Sequence, residues 1–174
     1  THLANAAGWQ PASATMLVPT VAVDVMCQLA ATLKMYLSMS QATGRLALKS
    51  MRKQKVFDMG QVEHIIAECK LLAECEHPFV VQLVRTYEDD NHLHLLLELT
   101  LGGELFSVLR QSPNGAFPER RCQFYAAMIV LVFEYLHDKR IIYRDLKPEN
   151  LLLDGTGHVR LVDFGLALMG QNGN

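Results

Sequence analysis

Between residues 61 and 75 the apolar positions Val62, Ile65, Ile66, Cys69 and Leu72 return every three or four residues, the stripe of a helix with one buried face. Glu68 lies on the flank of that stripe, and His77-Pro78 ends the element. Elsewhere the pattern reads as strands. Residues 33–40 and 46–51 flank the turn residues Gln41-Ala-Thr-Gly44, and residues 79–87 and 93–99 flank Glu88-Asp-Asp-Asn91. Gly102-Gly103 breaks the chain, and residues 104–110 predict a short helix closed by Ser112-Pro113. Pro118 opens a long helix to about His137; its apolar residues nearly surround it, so it is expected to be buried. After an irregular polar stretch, Leu151-Leu-Leu153 and residues 159–162 form a last hairpin around Asp154-Gly-Thr-Gly157. Strands come first and helices later, which predicts an α+β chain in two sub-domains with a cleft.

Composition narrows this picture. The 174 residues are half hydrophobic and one fifth charged, enough for one packed domain and too apolar for wholesale disorder. Sixteen Lys and Arg against eighteen Asp and Glu give a net charge of −2, which removes any global electrostatic case for nucleic acid or an anionic membrane as partner. Cys27, Cys69, Cys75 and Cys122 form no C-x-x-C pair, so reduced cysteines in a cytoplasmic protein are expected rather than a disulfide framework. His64, Cys69, Cys75 and His77 match no zinc spacing. Residues 16–37 are apolar, but Pro19, Asp24, Gln28 and Lys34 interrupt them and no basic region precedes them. The expectation is neither a membrane span nor a signal peptide.

The last hairpin carries the chemistry. Asn150 precedes its outgoing strand and Asp163 follows its returning one, so both emerge at one end. An amide carbonyl and a carboxylate there suit Mg²⁺. Asp145, five residues before Asn150, can present a third oxygen donor, and Lys147 adds a cation. A nucleoside triphosphate carried with Mg²⁺ is the substrate class that such a group would hold.

Tyr143-Arg-Asp-Leu-Lys-Pro-Glu-Asn150 followed by Asp163-Phe-Gly165 resembles the catalytic and Mg-binding loops of the eukaryotic protein kinases. Ala47-Leu-Lys49 on a strand and Glu68 on the next helix resemble the family's phosphate-binding lysine and its glutamate partner. Tyr143 in place of the commoner His, Gln61-Val-Glu-His64 and Leu101-Gly-Gly-Glu-Leu-Phe106 are similar to the AGC group of Ser/Thr kinases, its cyclic-nucleotide-dependent members, cGMP-dependent ones especially. The resemblance implies a bilobal α+β fold, incomplete here: residues 33–98 as part of an antiparallel-sheet small lobe, and residues 99–174 as hinge and part of a helical large lobe.

It also implies roles. Asp145 would accept the proton of a substrate Ser or Thr hydroxyl, and Lys147 would neutralise γ-phosphate charge. Asn150 and Asp163 would hold Mg²⁺, and Lys49, paired with Glu68, would hold the α- and β-phosphates of ATP. Ala47, Leu97, Leu99 and Leu152 would line the adenine slot, with Glu98 and Thr100 offering backbone hydrogen bonds. Leu72, Leu83, Tyr143 and Phe164 fall where the family stacks a hydrophobic spine. Glu104 and Glu149 match positions that recognise arginines near the phosphoacceptor, so the implied partners are protein substrates with basic residues near Ser or Thr. Arg144 and His64 match the pocket for an activation-loop phosphate. Regulatory cyclic-nucleotide-binding domains are expected in a full-length chain.

Two departures bear on activity. Kinases cover the ATP phosphates with a Gly-rich loop, yet only Gly8 and Gly44 precede Lys49. Residues 1–32 are accordingly expected to be a non-matching segment, through a mis-joined exon or divergence. The chain stops at Asn174, before the expected activation segment, which reads as truncation and predicts poor folding of the chain alone. The enzyme reading therefore stands beside that of an inert kinase fragment or pseudokinase-like nucleotide- or partner-binding module. An unrelated α/β nucleotide-binding domain is excluded, because neither G-x-x-x-x-G-K-[ST] nor a strand-linked G-x-G-x-x-G is present.

Overall fold

A computed structural model describes residues 10–11, 21–22, 33–40 and 44–170, with side chains from residue 46 onward. Two compact units result: Thr1–Ala73 with Gln82–Leu99, and Glu74–Val81 with Thr100–Asn174. The stretch 74–81, expected within the small lobe, thus groups with the second unit.

The first unit is built on a sheet. Its strands in chain order are β1 (Gln10–Pro11), β2 (Val21–Ala22), β3 (Leu33–Ser40), β4 (Gly44–Arg52), β5 (Leu83–Glu88) and β6 (His92–Glu98). They lie side by side as β1-β5-β6-β4-β3-β2. The β3–β4 hairpin pairs Leu33 with Met51 through to Ser40 with Gly44, and β4 in turn pairs with β6. One pairing departs from the antiparallel expectation: β1 runs parallel to β5. Two dipeptides of the segment expected to stand outside the fold, β1 and β2, therefore pair with this sheet. The remainder of that segment, and Cys27, lie outside the described residues.

Two helices accompany the sheet. α1 (Lys53–Asp58) follows β4 directly, and α2 (Val62–Glu74) buries Ile65, Glu68, Cys69, Leu71 and Leu72. The hydrophobic centre of this unit includes Met51, Cys69, Leu72 and Leu95. Glu68 is only 3% exposed, so it is buried with the apolar stripe rather than left on its flank. α1 has no counterpart in the hydrophobic pattern; only its Val56 is buried.

The second unit holds α3 (Leu105–Gln111), α4 (Glu119–Asp138), β7 (Ile141–Ile142), β8 (Leu151–Leu153), β9 (Val159–Leu161) and β10 (Leu168–Met169). β7 pairs antiparallel with β10, and β8 with β9. Residues 79–81 do not continue into β5 as the pattern predicts. Leu161 N donates to Phe79 O at 2.8 Å and Val81 N to Leu161 O at 3.0 Å, so this stretch runs parallel along β9 with Val80 fully buried.

α4 corrects a second expectation. Tyr125, Met128, Val132 and Leu136 make one buried stripe at helical spacing, whereas Phe124, Val130 and Leu131 are exposed. The apolar content that suggested full burial is thus split between a packed face and an open one. No helix among the described residues is long and apolar enough to cross a membrane.

Candidate active site

In the first unit the candidate residues are placed by strand alternation. Ala47, Lys49 and Met51 share one face of β4, and Ala47 pairs across the ladder with Leu97. Ala47 and Leu97 are both buried. Lys49 Nζ donates to Glu68 Oε1 at 2.6 Å, with 12% of the lysine side chain and 3% of the glutamate exposed. In a charged pair so deeply placed each member offsets the cost of burying the other's charge. Glu98 N donates to Gln82 O at 2.9 Å, and Glu98 and Thr100 are both half-buried. Leu72 is buried, Leu83 half-buried and His64 exposed on α2.

Burial also governs the thiol next to this pair. The Cys69 thiol is pushed up to about 12, first by desolvation and then by the Glu68 charge, against a smaller opposing effect of Lys49. Together with the absence, among the described residues, of any group of three or more His, Cys, Asp or Glu able to hold a metal, this leaves Cys69 as core.

In the second unit the loop between β7 and β8 folds back on itself. Lys147 Nζ donates to Asp145 Oδ2 at 2.8 Å. Asn150 Nδ2 donates to the same Oδ2 at 2.8 Å and to the Asp145 carbonyl at 3.0 Å. Asn150 is buried at the end of the 3₁₀ turn Pro148–Asn150, and Val162 N donates to its carbonyl at 3.0 Å. The Asp145 carboxyl is raised by desolvation, but the hydrogen bonds from Lys147 and Asn150 and the Lys147 charge outweigh this and hold it below its ordinary value. Lys147 is correspondingly raised, first by its hydrogen bond to Asp145. The carboxylate is therefore an ionised acceptor held by two donors.

Asn150 uses its amide nitrogen twice on Asp145, so its Oδ1 is the atom it offers to a cation. Asp163, one residue beyond Val162, adopts φ 60°, and its Oδ1 accepts from Gly165 N at 3.3 Å. Two oxygen donors of this kind fit Mg²⁺, which takes one or two protein ligands and fills its octahedron with phosphate and water oxygens.

The supports of this loop are aromatic. Tyr143 and Phe164 are buried and meet edge to face, with centroids 5.3 Å apart and planes at 76°. Tyr143 Oη donates to Val162 O at 2.6 Å. Sequence reading named both rings but not this hydrogen bond, which needs a hydroxyl at position 143. Arg144 adopts φ 64° and donates from Nε to Leu166 O at 2.8 Å. Leu152 is half-buried on β8 and bridged to Glu104; Glu104 Oε2 accepts from Ser107 Oγ at 3.2 Å. Glu149 is half-buried.

Gly102 was legible only as a break. Its amide donates to Leu153 O at 2.7 Å, and a Cβ there would stand 2.6 Å from the carbonyl oxygens of both Leu153 and Asp154. Only glycine allows this backbone contact.

The protein kinase domain profile matches residues 33–174. The catalytic subunit of cAMP-dependent protein kinase from Schizosaccharomyces pombe is 47% identical over 121 residues, which are 70% of this chain and 23% of that protein. The cGMP-dependent protein kinase of Toxoplasma gondii is 48% identical over 123 residues, 71% of this chain and 12% of its own length. Human cGMP-dependent protein kinase 2 is 48% identical over 121 residues, 70% of this chain and 16% of its own. The chain thus spans less than a quarter of each of these curated relatives. With the profile covering most of the chain and Lys49, Glu68, Asp145, Asn150 and Asp163 in the arrangements described, the chain belongs to the protein kinase family and is similar to its cyclic-nucleotide-dependent members.

Proposed function

We propose that this chain carries catalytic machinery for transfer of the ATP γ-phosphate to a Ser or Thr hydroxyl of a protein substrate. The observation that carries the reading is Asp145, whose Oδ2 is held by Lys147 and Asn150 at 2.8 Å each. Held there and ionised, it orients an incoming hydroxyl and accepts its proton as the new P–O bond forms and the bond from the γ-phosphorus to the bridging oxygen breaks, releasing ADP. Phosphoryl transfer depends mainly on positioning and charge stabilisation. Lys147, shared with Asp145, supplies positive charge for the transferred group. Asn150 Oδ1 and the Asp163 carboxylate are the oxygens offered to Mg²⁺, which when bound neutralises phosphate charge. Lys49 is the cation offered to the α- and β-phosphates, with Glu68 fixing its ammonium.

Finer roles follow the resemblance. Ala47, Leu97 and Leu152 supply apolar surface for adenine, with Glu98 and Thr100 at the backbone beside it. Glu104 and Glu149 select arginines near the phosphoacceptor, which gives basic-motif protein substrates. Arg144 and His64 are the cations for an activating phosphate. Cyclic-nucleotide-binding domains elsewhere in the protein and a cytoplasmic setting complete this reading. In domain terms, residues 33–98 are small lobe, 99–174 hinge and large lobe, and 1–32 a segment that does not match the family, although its β1 and β2 pair with the sheet.

One observation favours a second reading, a nucleotide- or partner-binding module without turnover. β2 pairs with the free side of the β3–β4 hairpin, so residues 23–32 join the two strands that precede the lysine strand, and they contain no glycine. Backbone N–H groups can cradle phosphates closely only where side chains do not intervene.

The test is radiolabelled transfer from Mg-ATP to an Arg-rich Ser peptide. Turnover by wild type that Asp145→Asn lowers by about 10²–10⁴-fold, with Mg-ATP binding retained, supports the transfer reading. Binding without transfer by wild type supports the second reading. Transfer unaffected by Asp145→Asn overturns the assignment.

A further inference from the structure

A hydrogen-bonded chain on the other face of β4 involves none of the residues assigned above. Ser50 and His94 are cross-strand partners on β4 and β6, and Ser50 Oγ lies 2.7 Å from His94 Nδ1. His94 Nε2 lies 3.0 Å from Asp89 Oδ2. The other carboxylate oxygen of Asp89 accepts from Asn91 N at 2.7 Å and His92 N at 2.6 Å, an Asx turn that shapes the β5–β6 connection. Lys53 N donates to Asn91 O at 2.8 Å and ties the end of β4 to the same turn. Ser50 is buried and directly follows Lys49.

Donor chemistry fixes where the protons sit. An ionised carboxylate only accepts, so His94 Nε2 carries hydrogen. In the neutral ring Nδ1 is then an acceptor and takes the Ser50 hydroxyl proton, so all three side chains are satisfied. A second ring proton turns Nδ1 into a donor. Ser50 must then point its hydrogen elsewhere, and a buried hydroxyl donor that loses its acceptor is destabilising.

We propose that Ser50, His94 and Asp89 form a proton-linked clamp in which His94 is a positioning residue, setting the register of β4 against β6 and with it the placement of Lys49. The consequence for Lys49 rests on the nucleotide role proposed above; the clamp itself does not. Other charged or titratable groups stand around it. His92 Nδ1 lies 3.4 Å from Asp89 Oδ1, and Asp90 shares the turn. Lys34 on β3 is the register partner of Ser50, Tyr87 on β5 that of His94, and Arg52 on β4 that of His92. Lys53 and Glu88 pair at 2.9 Å. A His92→Gln background removes the neighbouring imidazole from the readout.

The experiment follows imidazole nitrogens by NMR on the ¹⁵N-histidine-labelled chain from pH 5 to 8.5, without nucleotide. The neutral His94 ring is expected as the Nε2–H tautomer. Ser50→Ala should remove the ¹⁵N signature of a hydrogen-bonded Nδ1 acceptor, and Asp89→Asn should weaken the preference for hydrogen on Nε2. An Nδ1–H tautomer, or ring nitrogen shifts that neither substitution changes, overturns the clamp. A second arm compares Mg-ATP affinity at pH 7.5 and 5.5 in wild type and His94→Gln, where titration of the nucleotide itself cancels. The wild-type affinity ratio should exceed that of the variant by about threefold. Equal ratios overturn the positioning role. Failure of wild type to bind Mg-ATP at either pH defeats the nucleotide role of Lys49 and hence the positioning role, and the imidazole arm still decides the clamp.

Discussion

The Lys49–Glu68 pair allows a quantitative test. At 2.6 Å and an effective dielectric constant of about 20, the two charges attract by roughly 6 kcal/mol. Each ion also loses several kcal/mol of hydration when buried, so the intact pair is close to neutral for stability. Removing one member is different. Glu68→Leu takes the neighbouring carboxylate from a lysine whose side chain is 12% exposed, and Lys49→Met takes the neighbouring ammonium from a carboxylate that is 3% exposed. Each single substitution should therefore cost about 3–5 kcal/mol, a large share of the roughly 5–15 kcal/mol that holds a typical domain together.

The double variant, Lys49→Met with Glu68→Leu, removes both charges and keeps the volume, so its stability should return to within about 1 kcal/mol of wild type. Urea denaturation followed by circular dichroism gives the four stabilities, and a double-mutant cycle extracts the coupling. Fluorescent-nucleotide titration on the same proteins separates folding from binding, since the double variant should fold and still fail to bind Mg-ATP. Single variants within 1 kcal/mol of wild type, or a double variant as unstable as the two singles added, would refute the reasoning. The first result would mean that solvent reaches the pair, and the second that its contribution is packing rather than charge.

Three further outcomes follow from the geometry. Gly102→Ala forces a Cβ to within 2.6 Å of two carbonyl oxygens and should lower the urea stability of the second unit by about 1–3 kcal/mol; an unchanged midpoint would contradict the close approach. Asp154 is held at about 2 despite desolvation, by hydrogen bonds from Thr156 and from the His158 and Thr156 amides and by the charge of Arg160. Its contribution is present above the ordinary carboxylate value and lost as pH falls toward 2; allowing for solvent screening it is about 1 kcal/mol. Asp154→Asn should therefore flatten the acid limb of a thermal-stability profile between pH 4 and 2, and an identical limb in both proteins would oppose this. Burial pushes the Cys69 and Cys75 thiols up to about 12 and about 11, so at pH 8 maleimide mapped by peptide mass should modify exposed Cys122 and reach those two only after denaturation; rapid native labelling of Cys69 would show that α2 opens.

Local signals were legible, and partners distant in sequence were not. The α2 stripe and the β3–β4 and β8–β9 hairpins carry their own periodicity and turn residues, and they appear where the pattern puts them. α1 has six residues and one buried side chain, with its first amide bound to Asn91 almost forty residues away, so no window of sequence announces it. Residues 79–81 are extended, as their composition implies, but their partner is β9, which a strand pattern does not specify. Burial of Glu68 likewise depends on Lys49, nineteen positions earlier. The Asp145, Lys147 and Asn150 group was readable because it is contained in six consecutive residues, and Asp163 because a short hairpin returns it.

Backbone conformation explains what remained hidden in that loop. Arg140, Arg144 and Asp163 all adopt left-handed φ, at 59°, 64° and 60°, a region that costs a non-glycine residue about 1–2 kcal/mol. Arg140 has an ordinary reason: it follows the end of α4, and its amide donates to His137 O at 2.8 Å, a left-handed helix stop. Arg144 and Asp163 end no helix. Each is instead adjacent to a fully packed aromatic ring, Tyr143 and Phe164, and those rings meet each other. The Tyr143 hydroxyl is further bound to the carbonyl of Val162, the residue before Asp163. One buried aromatic pair thus offsets unfavourable backbone at two places. In doing so it fixes the directions in which Asp145, one residue beyond Arg144, and Asp163 leave the main chain. The D-F-G and Y-R-D residues of this chain are therefore coupled pieces of one packing solution in which the aromatic members place the carboxylates, and a carboxylate swapped in place would test less of the site than a change at Tyr143 or Phe164.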